Sequence, residues 1–124
     1  MVNVLLIDDE EDYVLRPVAL MLRALGARVV TAINGEIGVE LATSPDHDFG
    51  LIVCDVLMPG LSGVDVLLAL RALGVTTPFV FHTGDPGGYR DQVKDLVDRG
   101  EAAALLNKPS GMEVFELLLD RVRS

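Results

Sequence analysis

The 124-residue chain has one cysteine, no tryptophan and only two lysines, and each shortage excludes a class of protein. Cys54 stands alone, so no internal disulfide can form, and a reducing, cytoplasmic setting is expected. No apolar run approaches the roughly eighteen residues of a membrane span, so no membrane insertion is expected. The opening stretch MVNVLLIDDE has no basic n-region and turns acidic early, which is not the pattern of a signal peptide. Basic residues are scarce: ten against nineteen acids, for a formal charge of −9. Phosphate contacts need clustered Lys and Arg, so direct nucleic-acid binding is excluded, while a cation or a basic partner face is favoured. Because lysines are so few, the positions of Lys94 and Lys108 are informative. No repeat or low-complexity tract is present. Half the residues are hydrophobic, which argues against disorder. The length suits a single domain over residues 1–124.

What the chain does have is short apolar runs alternating with helical patterns. Val2 to Ile7 reads as a buried strand, followed by a helix with Val14, Val18, Leu22 and Leu25 on one face and Gly26 as its stop. Pro17 is awkward in that helix and predicts a late start or a kink. ARVVTA is a second strand, and Asn34-Gly35 turns into a helix ending near Thr43. LIVCD is the third strand, with a helix over Val64 to Leu73. PFVFHT is the fourth, followed by a helix over Tyr89 to Val97 with a soft start at Gly87-Gly88. AALLN is the fifth, and Met112 to Val122 closes the chain as an amphipathic helix. Five such units with buried-type, unalternated strands predict a doubly wound parallel α/β sheet. The expected fold is flavodoxin-like, (βα)5, with strand order 2-1-3-4-5 and a site outside the carboxyl ends of the strands.

All carboxyl ends of a parallel sheet share one edge, so the residues that end the strands matter. Strand one ends in Asp8-Asp9, strand three in Asp55, strand four in Thr83 and strand five in Asn107-Lys108. Each alone has an ordinary explanation: Asp8 and Asp9 as helix caps, Thr83 as a strand end, Lys108 as a solvated loop residue. An acid directly after LIVC is harder to explain that way, because desolvation penalises it. Crowded together, Asp8, Asp9 and Asp55 repel unless a cation intervenes, and an all-oxygen, partly hydrated site suits Mg²⁺. A carboxylate beside Mg²⁺ can attack a phosphoryl group, with Lys108 and the Thr83 hydroxyl meeting its equatorial oxygens. In this reading Asp55 ends its strand as the phosphoryl acceptor.

With those residues in place, the chain resembles the receiver domains of two-component response regulators from its first strand to its last helix. The matching residues are Asp8-Asp9, DVLMPG around Asp55, Thr83-Gly84 and Lys108-Pro109. The resemblance implies phosphoryl transfer to Asp55 from a histidine kinase or histidine phosphotransfer protein. It implies Mg²⁺ held by Asp9, Asp55 and the backbone carbonyl of Leu57, with Asp8 acting through water. Lys108 would contact the phosphoryl group, Thr83 would swing toward it, and the Lys108-Pro109 bond would be cis. Such a protein is a signalling phosphoacceptor rather than an enzyme, catalysing only its own phosphoryl transfer and slow autodephosphorylation. Pro59-Gly60 suits a type II turn shaping the metal loop.

The chain also departs from the family pattern. The switch aromatic three residues before the lysine is replaced by Leu105, which moves the expected signal to Gly84–Tyr89. PFVFHTGDPGGY is similar to the Pro-Phe-x-Phe-Ala-Thr-Gly signature of a stand-alone subgroup, with His82 in place of the Ala. His82 itself reads as a packed, hydrogen-bonded core residue, and Cys54 as core packing on the face opposite Asp55. Tyr13 and Tyr89 read as surface or packing residues. The closing helix, with Phe115, Leu118, Leu119 and Val122, should cover the sheet and leave an exposed edge for a homodimer. Three other classes fit the sequence less well. An Asp-nucleophile phosphatase would need an acid at Leu57 and a cap insertion. A flavodoxin-like cofactor binder would need a Ser/Thr/Gly phosphate loop where DDEED stands. A pseudo-receiver that only binds partners would lack one of the acids, the Lys or the Thr, and none is missing.

Overall fold

The computed structural model describes residues 1–123. Five parallel strands, β1 (Asn3–Ile7), β2 (Arg28–Ala32), β3 (Leu51–Cys54), β4 (Phe79–Thr83) and β5 (Ala104–Asn107), form one sheet in the order 2-1-3-4-5. Between and after them run α1 (Arg16–Ala24), α2 (Gly35–Thr43), α3 (Gly63–Ala72), α4 (Arg90–Asp98) and α5 (Met112–Arg123). This is the expected doubly wound, flavodoxin-like architecture. Helices α1 and α5 cover one face, where Val18, Leu22, Phe115 and Leu119 pack on Val4, Leu6, Val53 and Val80. Helices α2, α3 and α4 cover the other, with Leu67, Leu70 and Val93 against Leu5, Ile52, Cys54 and Phe81.

Alternate residues of the central strands feed opposite layers, so β3 and β4 are buried at every position. The expectation of buried-type strands throughout fails at the edges. β2 and β5 are partly exposed, because each has a neighbour on one side only.

Local sequence explains the helix starts. Asn34 caps α2 by accepting the Ile37 amide at 2.8 Å, and Ser62 with Asp65 forms a reciprocal capping box at α3. The awkward Pro17 is resolved by a wide π-helical turn over Glu11–Leu15, in which the Val14 and Leu15 amides both donate to the Glu10 carbonyl at 3.0 Å. Regular α-helix then begins at Arg16, with Pro17 next, and the widened turn ahead of it accommodates the proline. Neither Asp8 nor Asp9 caps this helix, since Glu10 occupies the cap position and makes no side-chain cap bond. The soft start at Gly87-Gly88 is a short 3-10 turn over Gly87–Tyr89 ahead of α4. At the sheet's opposite edge, the Arg71 guanidinium at the end of α3 donates to the carbonyls of Val75, Thr77 and Glu101 at 2.8–3.0 Å. Nothing in the sequence pattern had marked that residue.

Candidate functional site

Register places the acids side by side. Ile7 pairs with Cys54 across β1 and β3, and the Asp55 amide donates to the Ile7 carbonyl at 3.0 Å, so the next residues, Asp8 and Asp55, leave the sheet together. Thr83 pairs with Asn107 across β4 and β5, and the Lys108 amide donates to the Thr83 carbonyl at 3.0 Å. Lys108 Nζ thereby reaches Asp8 Oδ2 at 2.7 Å and Asp55 Oδ2 at 3.2 Å. Oxygen atoms of Asp8, Asp9 and Asp55 lie within 4.8 Å of one another. Asp8 is 1% exposed and Asp55 6%, whereas Asp9 faces solvent. The Lys108-Pro109 bond is cis.

Two buried carboxylates share one ammonium, with the exposed Asp9 a third acid beside them, and the electrostatics follow from that shortfall. Burial raises the Asp8 carboxyl above the usual carboxylate range. The Lys108 and Glu10 hydrogen bonds oppose the shift, and the Asp55 charge adds to it. Burial alone would lower the Lys108 ammonium, but its hydrogen bond to Asp8 and the charges of Asp8 and Asp55 together raise it. Asp55 Oδ1 accepts the Val56 amide at 2.7 Å, which fixes one oxygen and leaves Oδ2 on the lysine side. The donor set is all oxygen, half-buried and open toward Asp9, which fits a hard, partly hydrated cation such as Mg²⁺.

Of the residues expected at the site, Thr83 is the one engaged elsewhere. Its hydroxyl donates to the Asp85 carbonyl at 3.1 Å and accepts the Asp85 amide at 3.3 Å. Asp85 in turn accepts the Gly87 amide at 2.9 Å through Oδ1, so Thr83 is bonded into the loop that leads to α4. Leu57, half-exposed after Asp55, reaches the same loop. A Cβ at Gly87, whose φ is +57°, would lie 3.1 Å from Leu57 Cδ1.

Sequence reasoning missed Glu36, whose carboxylate accepts the Leu61 amide at 2.9 Å and lies over Gly60. Gly60 has φ of +80°, as the second central position of the expected type II turn requires. A contact spanning 25 residues leaves no periodic trace that could have revealed it.

Several expectations about neighbouring residues hold. Cys54 is buried in the α2–α3 layer, where burial pushes its thiol well up. Tyr13 is 84% exposed and Tyr89 packs at the core's rim. His82 is buried against Phe115, with ring centroids 5.6 Å apart, but the expected hydrogen bond is absent. Neither ring nitrogen has a partner among the described residues. The ring packs on Phe115 of the α1–α5 layer, and no polar group of the described residues stands in bonding geometry to either nitrogen.

The sequence profile of the response regulator receiver domain matches residues 4–120. The chain belongs to the response regulator receiver family. It is 32% identical to the rice two-component response regulator ORR41 (Oryza sativa subsp. japonica) over 124 residues, covering 99% of this chain and 95% of that protein. It is 39% identical over 82 residues to the cell cycle transcriptional regulator CtrA of Caulobacter vibrioides, covering 66% of this chain and 34% of that protein. This receiver thus matches about a third of the length of the Caulobacter regulator. Chemotaxis protein CheY4 of Vibrio cholerae superposes with a TM-score of 0.82 at 28% identity, with 98% of each chain covered. No helix among the described residues of the receiver is long and apolar enough to cross a membrane.

Proposed function

We propose that this receiver accepts a phosphoryl group on Asp55 from a histidine kinase or histidine phosphotransfer protein, in a cytoplasmic phosphorelay, with residues 1–124 acting as one unit. The observation that carries this reading is the buried Asp55 carboxylate, with one oxygen fixed by Val56 and the other 3.2 Å from Lys108 Nζ. An Asp55 oxygen forms the new P–O bond as the donor's P–N bond breaks, and the electron pair stays on the imidazole nitrogen. Lys108, held charged by its two acids, meets a phosphoryl oxygen and releases Asp55 as it does so. Asp9, Asp55 and the Leu57 carbonyl would hold Mg²⁺, with Asp8 acting through water. When bound, the ion neutralises phosphoryl oxygens and offsets the acids' repulsion.

The test is incubation with acetyl phosphate and Mg²⁺, followed by intact mass and peptide mapping. One phosphoryl group should appear, on Asp55, and Asp55→Asn should carry none. An adduct that survives in Asp55→Asn would overturn the assignment.

Signal output follows from the Thr83 hydroxyl. To reach the phosphoryl group it must leave Asp85, so the loop bonds at Asp85 and Gly87 are the ones exchanged. Leu105, at the edge of β5, has no ring to report the change. Hydrogen exchange should therefore show its largest phosphorylation-dependent protection between Gly84 and about Leu96. A response confined to α1 or α2 would put the switch elsewhere. The exposed edge of α5, which includes Leu117 at 66% exposure, is the surface proposed for pairing of phosphorylated copies.

A further inference from the structure

Residues 57–60, between Asp55 and α3, make no backbone hydrogen bond among the described residues. The Met58 side chain is buried in the core, but the backbone around it takes its course from its two ends. At the first end the Gly63 amide donates to the Val56 carbonyl at 2.8 Å. At the other stands Leu61, whose amide is the one that closes a turn over Pro59-Gly60 when it donates to the Met58 carbonyl. Here that amide goes instead to Glu36 Oε1, at 2.9 Å, in the first turn of α2. The turn is held open, and what holds it is a side chain of another element.

Two glycines make room for this contact. A Cβ at Gly60 would stand 2.8 Å from Glu36 Oε1, in the space the carboxylate occupies. A Cβ at Gly35 would stand 2.8 Å from both Leu61 Cβ and Val66 Cγ2, so glycine there lets the start of α2 close on the same segment.

We propose that Glu36 is a positioning residue for the metal site, keeping the loop that carries the Leu57 carbonyl in its open course by drawing the Leu61 amide away from Met58. The inference rests on Asp9, Asp55 and Leu57 being the ligands of Mg²⁺. Glu36 is not one of the acids gathered there, so its influence reaches the metal through the loop backbone. Without an acceptor at residue 36, the Leu61 amide is free to close on Met58, and the Leu57 carbonyl moves with the turn.

Glu36→Gln and Glu36→Ala lose the same charge, but glutamine keeps an oxygen for the Leu61 amide and alanine does not. The difference between them isolates the hydrogen bond from any long-range attraction between Glu36 and a cation. With Mg²⁺ alone titrated into uniformly ¹⁵N-labelled protein, saturable amide shifts at Asp9 and Val56 give the dissociation constant. Glu36→Ala should bind about fivefold more weakly than Glu36→Gln, the worth of one net hydrogen bond. In the metal-free proteins the Leu61 amide should exchange faster in Glu36→Ala than in wild type, and glutamine should restore its protection. Equal Mg²⁺ affinity in the two variants, or a Leu61 amide that exchanges alike in both, would overturn the positioning role and leave the metal site standing. Wild-type shifts that fail to saturate, or an Asp9→Asn variant that binds as well as wild type, would remove the metal reading and the role of Glu36 with it.

Discussion

Replacing Lys108 by Met should destabilise the metal-free protein by about 3 kcal/mol at neutral pH, the usual result of breaking a buried ion pair from one side. The loss is large because Asp8 and Asp55 are both buried and face the same ammonium, at 2.7 and 3.2 Å. Without it, two carboxylates repel across the strand ends, and neither can rotate into solvent without abandoning its Glu10 or Val56 amide. The pH dependence has a definite sign. A carboxyl raised in the folded state favours folding below its ordinary range, and that support is lost as pH rises through the folded value. The Lys108→Met deficit should therefore be small near pH 4 and grow toward pH 8, and Mg²⁺ should recover part of it. Urea melts at both pH values, with EDTA or with Mg²⁺, decide the point. A deficit that is equal at both, and indifferent to Mg²⁺, would mean that the lysine contributes packing rather than charge.

The second large effect is acid sensitivity at His82. Burial lowers this imidazole to about 4 from 6.5, helped by the Lys108 charge and opposed by Asp55. For a base depressed in the folded state, the favourable contribution is complete above 6.5 and is lost as pH falls toward 4. About 2 kcal/mol should be gone by pH 5 and about 3 kcal/mol by full protonation, from the size of the shift. Asp8 works in the opposite direction over the same interval, so the wild-type curve alone cannot isolate the histidine. The difference between wild type and His82→Leu can. The variant should match or exceed wild-type stability at pH 7, having no unpaired buried nitrogen, and should lose less on acidification. Parallel curves would show that the ring protonates in place without cost.

Most of the site was legible because a parallel sheet converts chain order into geometry. Once the strands were placed, Asp8, Asp55, Thr83 and Lys108 had to share an edge, and the observed register brings three of them into ionic contact. Thr83 reached the edge but not the cluster, because its hydroxyl found a nearer partner two residues on, which apolar periodicity does not encode. Glu36 and Arg71 were illegible for a related reason. Glu36 accepts a backbone amide 25 residues on, and Arg71 donates to backbone carbonyls 4, 6 and 30 residues on; backbone donors and acceptors look the same in every residue. His82 was read as packed, correctly, and as hydrogen-bonded, incorrectly. Strand alternation gives a side chain's face but not whether that face holds anything polar.

The Arg71 guanidinium has a practical use in following the switch. One side chain gathers the segments before β4 and β5 onto the end of α3, all at the edge of the sheet away from Asp55. Those segments supply a fixed datum against which displacement elsewhere can be measured. A spin label at Leu73, exposed beside the clamp, paired with one at Gly88, should register loop displacement alone. A pair at Leu73 and Glu101 should keep its distance through every turnover of the phosphoryl group.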